Sequence, residues 1–372
     1  MKFISALLIL LTYTSVSIAQ TTIEHPERER TPYIEQVESN NQRAIPTDIV
    51  SKLNSVFKNH SFRSEFGLTD KLVLGSVAEV EVYNSSEYIV LDDRGKMVTI
   101  ISESGAIIDT VGRSGQGPGE YQSPSSIALD GNDLYVSDRY YSLNKYTRKG
   151  KNFLQAEDFL INVVPDQLCI LGNEIFIRGS ANKNEFEGDD KVIHVFDKET
   201  LNHKRSIIDS YIAEGFVGKN ELSEGVFHCD KSTNSIFVSF NILPHIYSFS
   251  VDGDLNWVAT LDKFKPLKIV EEVGPNIQPS VTYQPEGNWD RPIQFTDLNN
   301  NFVLFQKITT YTDTPGKYPT ITTYAINKSN GSFSTINTVP DQWILLAVQE
   351  SRFVVNGMLI NMAPTLNLYN RN

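Results

Sequence analysis

Cysteine, histidine and long hydrophobic runs are scarce in this chain of 372 residues. It has two cysteines and six histidines, and the cysteine spacing fits no zinc motif. Only the N-terminal segment approaches the apolar character of a membrane span. Lys and Arg total 33 against 45 Asp and Glu, so the net charge is -12. Because this charge would repel phosphate backbones, we expect no nucleic-acid partner.

The first 19 residues have the composition of an export signal. Met1-Lys2 is a short basic start, Phe3 to Leu11 is apolar, and Ser17-Ile18-Ala19 supplies small residues before a cleavage site. A retained anchor is the alternative, but the run is shorter than a membrane-spanning helix, so we expect no transmembrane segment after cleavage. The residue directly after Ala19 is Gln20 and not cysteine, so we expect a periplasmic or extracellular protein without a lipid anchor at that site.

Short alternating strands recur from about Phe62 onward. In six places a polar turn precedes an apolar stretch that contains an aromatic or β-branched residue. These copies are Tyr88–Val90, Leu134–Val136, Ile175–Ile177, Ile236–Val238, Phe302–Leu304 and Arg352–Val354. The two shortest spacings, 46 residues from Val90 to Val136 and 41 from Val136 to Ile177, match a four-stranded blade of roughly 40–50 residues.

The repeats predict an all-β fold, a six-bladed β-propeller of four-stranded antiparallel blades. Six repeats are too many for one sandwich, and a solenoid would need a shorter period. The last blade runs out at its third strand, Leu366–Tyr369, so we expect the N-terminal strand Ser61–Phe66 to close the ring. The predicted domains are therefore a signal peptide (1–19), a polar and partly disordered leader with a short helix near its end (20–58), and the propeller (59–372).

A glycine-rich loop, Gly112 to Tyr121, joins two predicted blades. The loop and the residues after it resemble the NHL-type repeat. Those residues are Pro124, Ile127, Asp130, Tyr135-Val136, Asp138, Tyr146 and Gly150. The match, over about residues 70–150, is similar to exported six-bladed propellers of Bacteroidetes that carry a G-x-G-x-GPGEY loop, and it implies this fold and export. Many such proteins resemble lipoproteins, and this chain departs from them because it lacks the acceptor cysteine.

The spacing Gly115-x-Gly117-x-Gly119 also occurs in phosphate-binding loops. Those loops lead into a helix N-terminus, whereas a strand follows here, so the spacing favours a structural crossover. We expect Arg113 and Glu120 to form an exposed ion pair across it.

Metal and redox chemistry have few candidate residues. Cys169 and Cys229 fall on strands of neighbouring blades, where export permits a disulfide but buried free thiols are favoured. Among the blade histidines, only His228 is predicted on an inner strand, while His194 and His245 fall on third strands. We expect no metal site and no cofactor. The alternative is a calcium- or zinc-dependent lactonase or lyase with its site at the central channel.

Aromatic residues next to arginine are the candidate ligand contacts. They lie after a second strand, at Arg139, Tyr140 and Tyr141, and in two insertions near 263–292 and 311–318, at Trp289, Arg291 and Tyr318. Rings stack on sugars and apolar partners, and guanidinium groups donate forked hydrogen bonds. For Tyr140 and Tyr141, packing between blades is the alternative. We expect a non-catalytic binding module for a protein or carbohydrate ligand at the cell envelope.

Overall fold

The computed structural model describes residues 19–23, 44–69, 72–181, 191–211, 222–274, 277–284 and 287–371. The segments before the first blade are β1 (Ala19–Ile23), α1 (Thr47–Lys58), β2 (His60–Phe66), β3 (Leu68–Thr69) and β4 (Leu72–Val73).

Six four-stranded antiparallel sheets follow one another in the described residues. Blade 1 consists of β5 (Glu79–Asn84), β6 (Glu87–Asp92), β7 (Met97–Ser102) and β8 (Ile107–Val111). Blade 2 consists of β9 (Pro124–Asp130), β10 (Asp133–Asp138), β11 (Ser142–Lys149) and β12 (Asn152–Leu160). Blade 3 consists of β13 (Val163–Leu171), β14 (Glu174–Ala181), β15 (Lys191–Asp197) and β16 (His203–Asp209).

The second half of the ring has one insertion before blade 5. Blade 4 consists of β17 (Gly225–Asp230), β18 (Ser235–Phe240), β19 (His245–Ser250) and β20 (Leu255–Thr260). The insertion forms β21 (Lys268–Gly274) and β22 (Ile277–Gln284). Blade 5 consists of β23 (Asn288–Asp297), β24 (Phe302–Tyr311), β25 (Thr320–Asn327) and β26 (Phe333–Thr335). Blade 6 consists of β27 (Ile344–Val348), β28 (Arg352–Asn356), α2 (Met358–Asn361), β29 (Leu366–Arg371) and, from the N-terminal side, β2.

The first strands of the blades contact each other in a closed cycle, β5 to β9, β13, β17, β23, β27 and back to β5. These inner strands surround the axis, so the sheets form a six-bladed propeller, as the repeats predicted. All six second-strand copies lie where the sequence placed them, and the predicted third strand Leu366–Tyr369 lies within β29.

Strand β2 closes the ring. It pairs antiparallel with β29, with His60 opposite Arg371 and Phe66 opposite Leu366. This confirms the predicted N-terminal closure, in which β2 is the fourth, outer strand of blade 6.

The hydrophobic core is divided into six clusters, each between two neighbouring blades. Tyr88, Phe176 and Tyr247 are among the fully buried side chains that fill them. Helix α1 packs into the cluster between blades 5 and 6, where the Phe57 ring stacks on Phe353 at 5.0 Å between centroids. The short helix predicted near the end of the leader therefore contributes to the propeller core.

The glycine-rich loop is the crossover between blades 1 and 2. Tyr121 is fully buried, and its hydroxyl donates to the Tyr146 hydroxyl at 2.7 Å. Gly112 has a φ of +77°, and a Cβ there would lie 1.9 Å from the Tyr121 ring, so only glycine fits. The Glu120 carboxylate accepts the backbone N–H of Gly117 at 2.9 Å and pairs with Arg113 at 2.6 Å. The predicted ion pair is therefore present.

The two cysteines form a disulfide between β13 and β17, the inner strands of blades 3 and 4. The preference for free thiols was wrong. The sequence placed Cys169 and Cys229 in neighbouring blades, but the lateral contact between two inner strands brings their Cα atoms to 5.9 Å, within the range that a disulfide spans.

The insertion before blade 5 forms a small sheet outside the blades. Strand β21 pairs with β22 and, on its other side, with β1. The strand Ala19–Ile23, at the end of the predicted signal and the start of the leader, is thus joined to the insertion. The rest of the signal peptide and residues 24–43 of the leader lie outside the described residues.

Candidate functional site

Two regions of the ring are candidate sites: the loops at one end of the ring, which expose aromatic residues, and the central channel, which is lined by polar groups. We call the end of the ring where every inner strand begins the upper face, and the opposite end the lower face. Because neighbouring strands of a blade are antiparallel, loops between second and third strands also open on the upper face. All six candidate ligand residues belong to segments at that face.

Arg139, Tyr140 and Tyr141 form the turn between β10 and β11. Tyr140 is 57% exposed and Tyr141 40%, so neither ring packs between blades. Tyr141 has a φ of 62°, a conformation that is costly for a bulky residue and that concentrates at binding sites.

Asp138 holds this turn in place from the end of β10. Its buried carboxylate accepts the backbone N–H groups of Gln122 at 2.7 Å, Ser123 at 3.0 Å and Tyr140 at 2.9 Å. In blade 1, Asp92 accepts the N–H groups of Gly75, Ser76 and Gly95 in the same way. An aspartate that accepts three backbone N–H groups therefore fixes the turn that presents the tyrosines, and the same arrangement occurs in blade 1.

The side chain of Arg139 points toward blade 3. One guanidinium nitrogen lies 3.5 Å from Asp166, whose other oxygen lies 3.5 Å from the buried Arg178. Arg139 remains more than half exposed, so it can still donate to a ligand.

The other candidates lie in blade 5. Trp289 is partly buried and Arg291 exposed on β23, while Asp290 between them is buried and accepts from the Lys265 N–H at 3.0 Å and the Thr309 hydroxyl at 2.6 Å. Tyr318 is 61% exposed in the loop between β24 and β25. Blades 2 and 5 lie on opposite sides of the ring, and within the described ranges no hydrogen bond or ion pair joins the two groups.

The second region is the central channel, a cavity of about 780 Å³ lined by all six inner strands. On the blade 1 wall, Glu79 and Glu81 are two residues apart on β5 and so point to one side. Glu79 accepts the Ser126 hydroxyl at 2.8 Å and the Ile127 N–H at 2.7 Å. Loss of solvation raises the pKa of Glu79 to about 7 and, with the nearby charge of Glu79, that of Glu81 to about 8.

Blades 4 and 5 supply a charged network at the lower end of the channel. The buried Lys328 ammonium lies 2.6 Å from Asp230 and 2.7 Å from Asp297, and His228 on β17 lies 3.2 Å from Asp297. Burial opposes the ionisation of Asp297, but hydrogen bonds from His228 and Lys328 outweigh it and lower its pKa to about 2. Asp297 is therefore ionised at neutral pH and contacts both the Lys328 ammonium and the His228 ring.

His228 lies on an inner strand and lines the channel, as predicted, while His194 and His245 lie on the third strands β15 and β19. Among the residues that the structure describes, no three His, Cys, Asp or Glu side chains are grouped so that they could hold a metal ion. The metal-dependent enzyme remains an untested prediction.

Sequence reasoning missed the glutamate pair. Glu79 and Glu81 alternate with Val80 and Val82, a pattern typical of a half-exposed strand. Their place on the first strand of the first blade was the available signal, because first strands face the channel.

The chain belongs to the DUF5128 family of 6-bladed β-propellers, whose model matches residues 51–262. No curated protein matches it significantly. A DUF4221 family member from Bacteroides vulgatus is similar in fold, with 10% identity and a TM-score of 0.55 over 84% of this chain and 97% of its own. A Bacteroides fragilis protein described as exported is also similar, with 12% identity and a TM-score of 0.50 over 84% and 95%. No helix in the described part of the chain is long and apolar enough to cross a membrane.

Proposed function

We propose that this protein is an exported, non-catalytic binding module that holds a protein or glycan ligand on the upper face of its propeller. The observation that carries the proposal is the exposure of Tyr140, Tyr141 and Tyr318 on that face, in loops anchored to rigid blades. Loops on a fixed scaffold are where binding residues concentrate.

Residues next to these rings support the same use of the face. Leu160, at the end of β12, is 86% exposed and pairs in register with Ser142, next to Tyr141. Arg139 and Arg291 add exposed guanidinium groups. Aromatic rings, an apolar side chain and forked donors together suit a ligand with both apolar and polar surface.

Paired substitutions test the face. We expect Tyr140→Ala with Tyr141→Ala, and separately Trp289→Ala with Arg291→Ala, to weaken capture of a ligand at least about ten-fold without changing the unfolding midpoint. The probes are an array of bacterial surface glycans and envelope proteins bound to the immobilised protein. Phe62→Ala, which removes an exposed ring from the outer strand β2, is the matched control. Loss of folding in either pair, or equal capture by all variants, would contradict the proposal.

Export is the second part of the proposal. The N-terminal signal pattern supports it, and the Bacteroides fragilis protein of similar fold is itself described as exported. The intact mass of the protein released from the producing cell should correspond to a chain that begins at Gln20. A cytoplasmic chain that begins at Met1 would refute this part alone.

A further inference from the structure

Three exposed cations lie where the chain enters blade 5 at the upper face. Lys263 and Lys265 belong to the segment between β20 and β21, and Arg291 lies near the start of β23. The backbone brings the two segments together, because the Asp290 N–H donates to the Lys265 carbonyl at 2.7 Å and Pro266 forms a parallel bridge with Asp290. The three cations therefore share one surface, which we call the basic patch.

The cations of the basic patch have no acidic partner. In the part of the chain that the structure describes, none of the three forms an ion pair or a side-chain hydrogen bond. Cations elsewhere in the ring join neighbouring blades, since Arg148 lies 2.6 Å from Glu87 and Arg352 2.6 Å from Glu103. In a chain with a net charge of -12, cations that stay exposed and unpaired are available to a ligand.

Nearby acidic groups do not cancel the charge of the basic patch. The buried Asp290 is neutralised by the Lys307 ammonium, which lies 2.8 Å away. The loop between β24 and β25 adds one charge of each sign, and Asp262 is the exposed carboxylate next to the patch. Across residues 261–267 and 287–292, two positive charges therefore remain uncompensated, which favours an anionic ligand.

An aromatic ring accompanies the cations. Trp289 and Arg291 are two residues apart on β23, so both side chains leave the strand on the same side. Trp289 is partly exposed, and Tyr318 in the same blade is 61% exposed. A ring stacks on the C–H face of a sugar, and a guanidinium donates forked hydrogen bonds to a carboxylate. A sugar acid presents both chemistries in one residue.

We propose that the basic patch binds an acidic glycan, with carboxylates on Lys263, Lys265 and Arg291 and one sugar ring stacked on Trp289. The inference rests on the proposed function, because it names the ligand class for the blade 5 side of the upper face. A chain of repeating sugar acids carries a carboxylate on each ring and contacts several cations at once. Linked contacts of this kind add up to useful affinity although each exposed pair is weak.

Oligosaccharides that differ only in charge provide the test. Isothermal titration calorimetry is measured with trigalacturonate and trimannuronate, and with their fully methyl-esterified forms, which keep the rings and lose the charges. We expect at least one of the two acids to bind, and its ester to bind at least about ten-fold more weakly. Equal affinity for an acid and its ester would overturn the proposal, as would the absence of binding by both acids.

A pair of matched double variants assigns the binding to the basic patch. Lys263→Gln with Lys265→Gln should weaken binding of the acid about ten-fold. Lys149→Gln with Lys151→Gln removes two exposed cations from a turn at the lower face and should stay within about two-fold of wild type. Unfolding midpoints verify that each variant folds. An equal loss in both variants would assign the effect to the net charge of the chain and overturn the proposal.

Salt tests whether the contacts are exposed ion pairs. Affinity for the acid should fall as NaCl is raised from about 0.05 M to about 0.5 M, because salt screens exposed charges. The fall should be smaller in Lys263→Gln with Lys265→Gln, which has fewer charges to screen. Affinity that does not change with salt in wild type would contradict the role of the cations.

A peptide without sugar rings separates a glycan from polyanions in general. Hexa-aspartate should bind at least about ten-fold more weakly than the acidic oligosaccharide, and Trp289→Leu should weaken binding of the oligosaccharide alone. Equal affinity for hexa-aspartate would overturn the assignment to a glycan. If the upper face captures neutral glycans or envelope proteins but no acidic oligosaccharide, the proposed function stands and this inference alone is wrong.

Discussion

At the scale of single residues, Glu79 and Glu81 make the stability of the fold depend on pH. Their pKa values, about 7 and 8, lie above the ordinary 4.5, so the folded chain holds these protons more tightly than the unfolded chain. Their contribution to stability is complete below about pH 4.5 and is lost as the pH rises through 7 to 8. We expect the Glu79→Gln and Glu81→Gln double variant to lose less unfolding free energy than wild type between pH 5 and pH 8.5.

Denaturant titrations at several pH values check this. Burial lowers the pKa of His194 to about 4, so His194 contributes a slope of opposite sign below about pH 6.5. Both proteins contain His194, so its contribution cancels when the unfolding free energy of wild type is subtracted from that of the variant at each pH. A parallel pH profile in the two proteins would contradict the assignment.

Lys328 is the residue whose removal should cost most at the channel. It is 3% exposed and joins the buried Asp230 to Asp297. Lys328→Met would leave Asp230 as an uncompensated buried charge, and we expect a loss of about 3–5 kcal/mol in the free energy of unfolding. Adding Asp230→Asn should recover part of it, while the exposed Lys151→Met should change stability by less than about 0.5 kcal/mol. A loss no larger than that of Lys151→Met would contradict the inferred coupling.

At the scale of elements, closure of the ring depends on β2. Deletion of residues 20–68 removes α1, the outer strand of blade 6 and the Phe57 contact with Phe353, so unfolding should lose its single cooperative transition. Deletion of residues 20–43 keeps α1 and β2 and should preserve that transition. Calorimetry distinguishes the two, and an unchanged melting curve for the longer deletion would refute the role of β2.

Much of this element order is readable from the chain, because each blade repeats the same local pattern. Second strands such as Leu134–Val136 combine apolar residues with a preceding turn, and that signal is local. Lateral relations are not local. Contacts between blades depend on how neighbouring sheets meet, and no local pattern indicates them. Examples are the disulfide, the hydrogen bonds of Glu79 with Ser126 and Ile127, and the sharing of Lys328 between two blades.

The candidate site was predictable only in part. The tyrosines of the β10–β11 turn could be placed on a loop because a strand and a turn signal bracket them. Asp138 holds this turn by accepting three backbone N–H groups. From one sequence, an aspartate with this role cannot be distinguished from any other aspartate in a turn.

At the scale of the whole molecule, the disulfide fastens two adjacent blades at the axis. It closes a loop with a sequence separation of 60 residues, and the chain-entropy model assigns such a loop about 4 kcal/mol. We expect the Cys169→Ala and Cys229→Ala double variant to lose about 2–4 kcal/mol while it keeps the propeller fold. Denaturant unfolding of wild type and of the double variant, each with and without reductant, measures this loss in the free energy of unfolding. A reductant effect on the double variant equal to that on wild type would contradict it.

The pairing of β2 with β29 also means that the two ends of the ring are neighbours, with His60 opposite Arg371. A short linker could therefore join residue 371 to residue 60 without distorting a blade, at the cost of α1 and its Phe57 contact, and the chain could be opened at the exposed Lys149-Gly150-Lys151 turn. Such a circular permutant would carry blade 6 as one continuous segment and would move the split to blade 2, whose outer strand β12 would then lie at the new N-terminus. In the natural order, blade 6 is completed only after β29 has been synthesised, so a stop codon before Leu366 leaves the ring open.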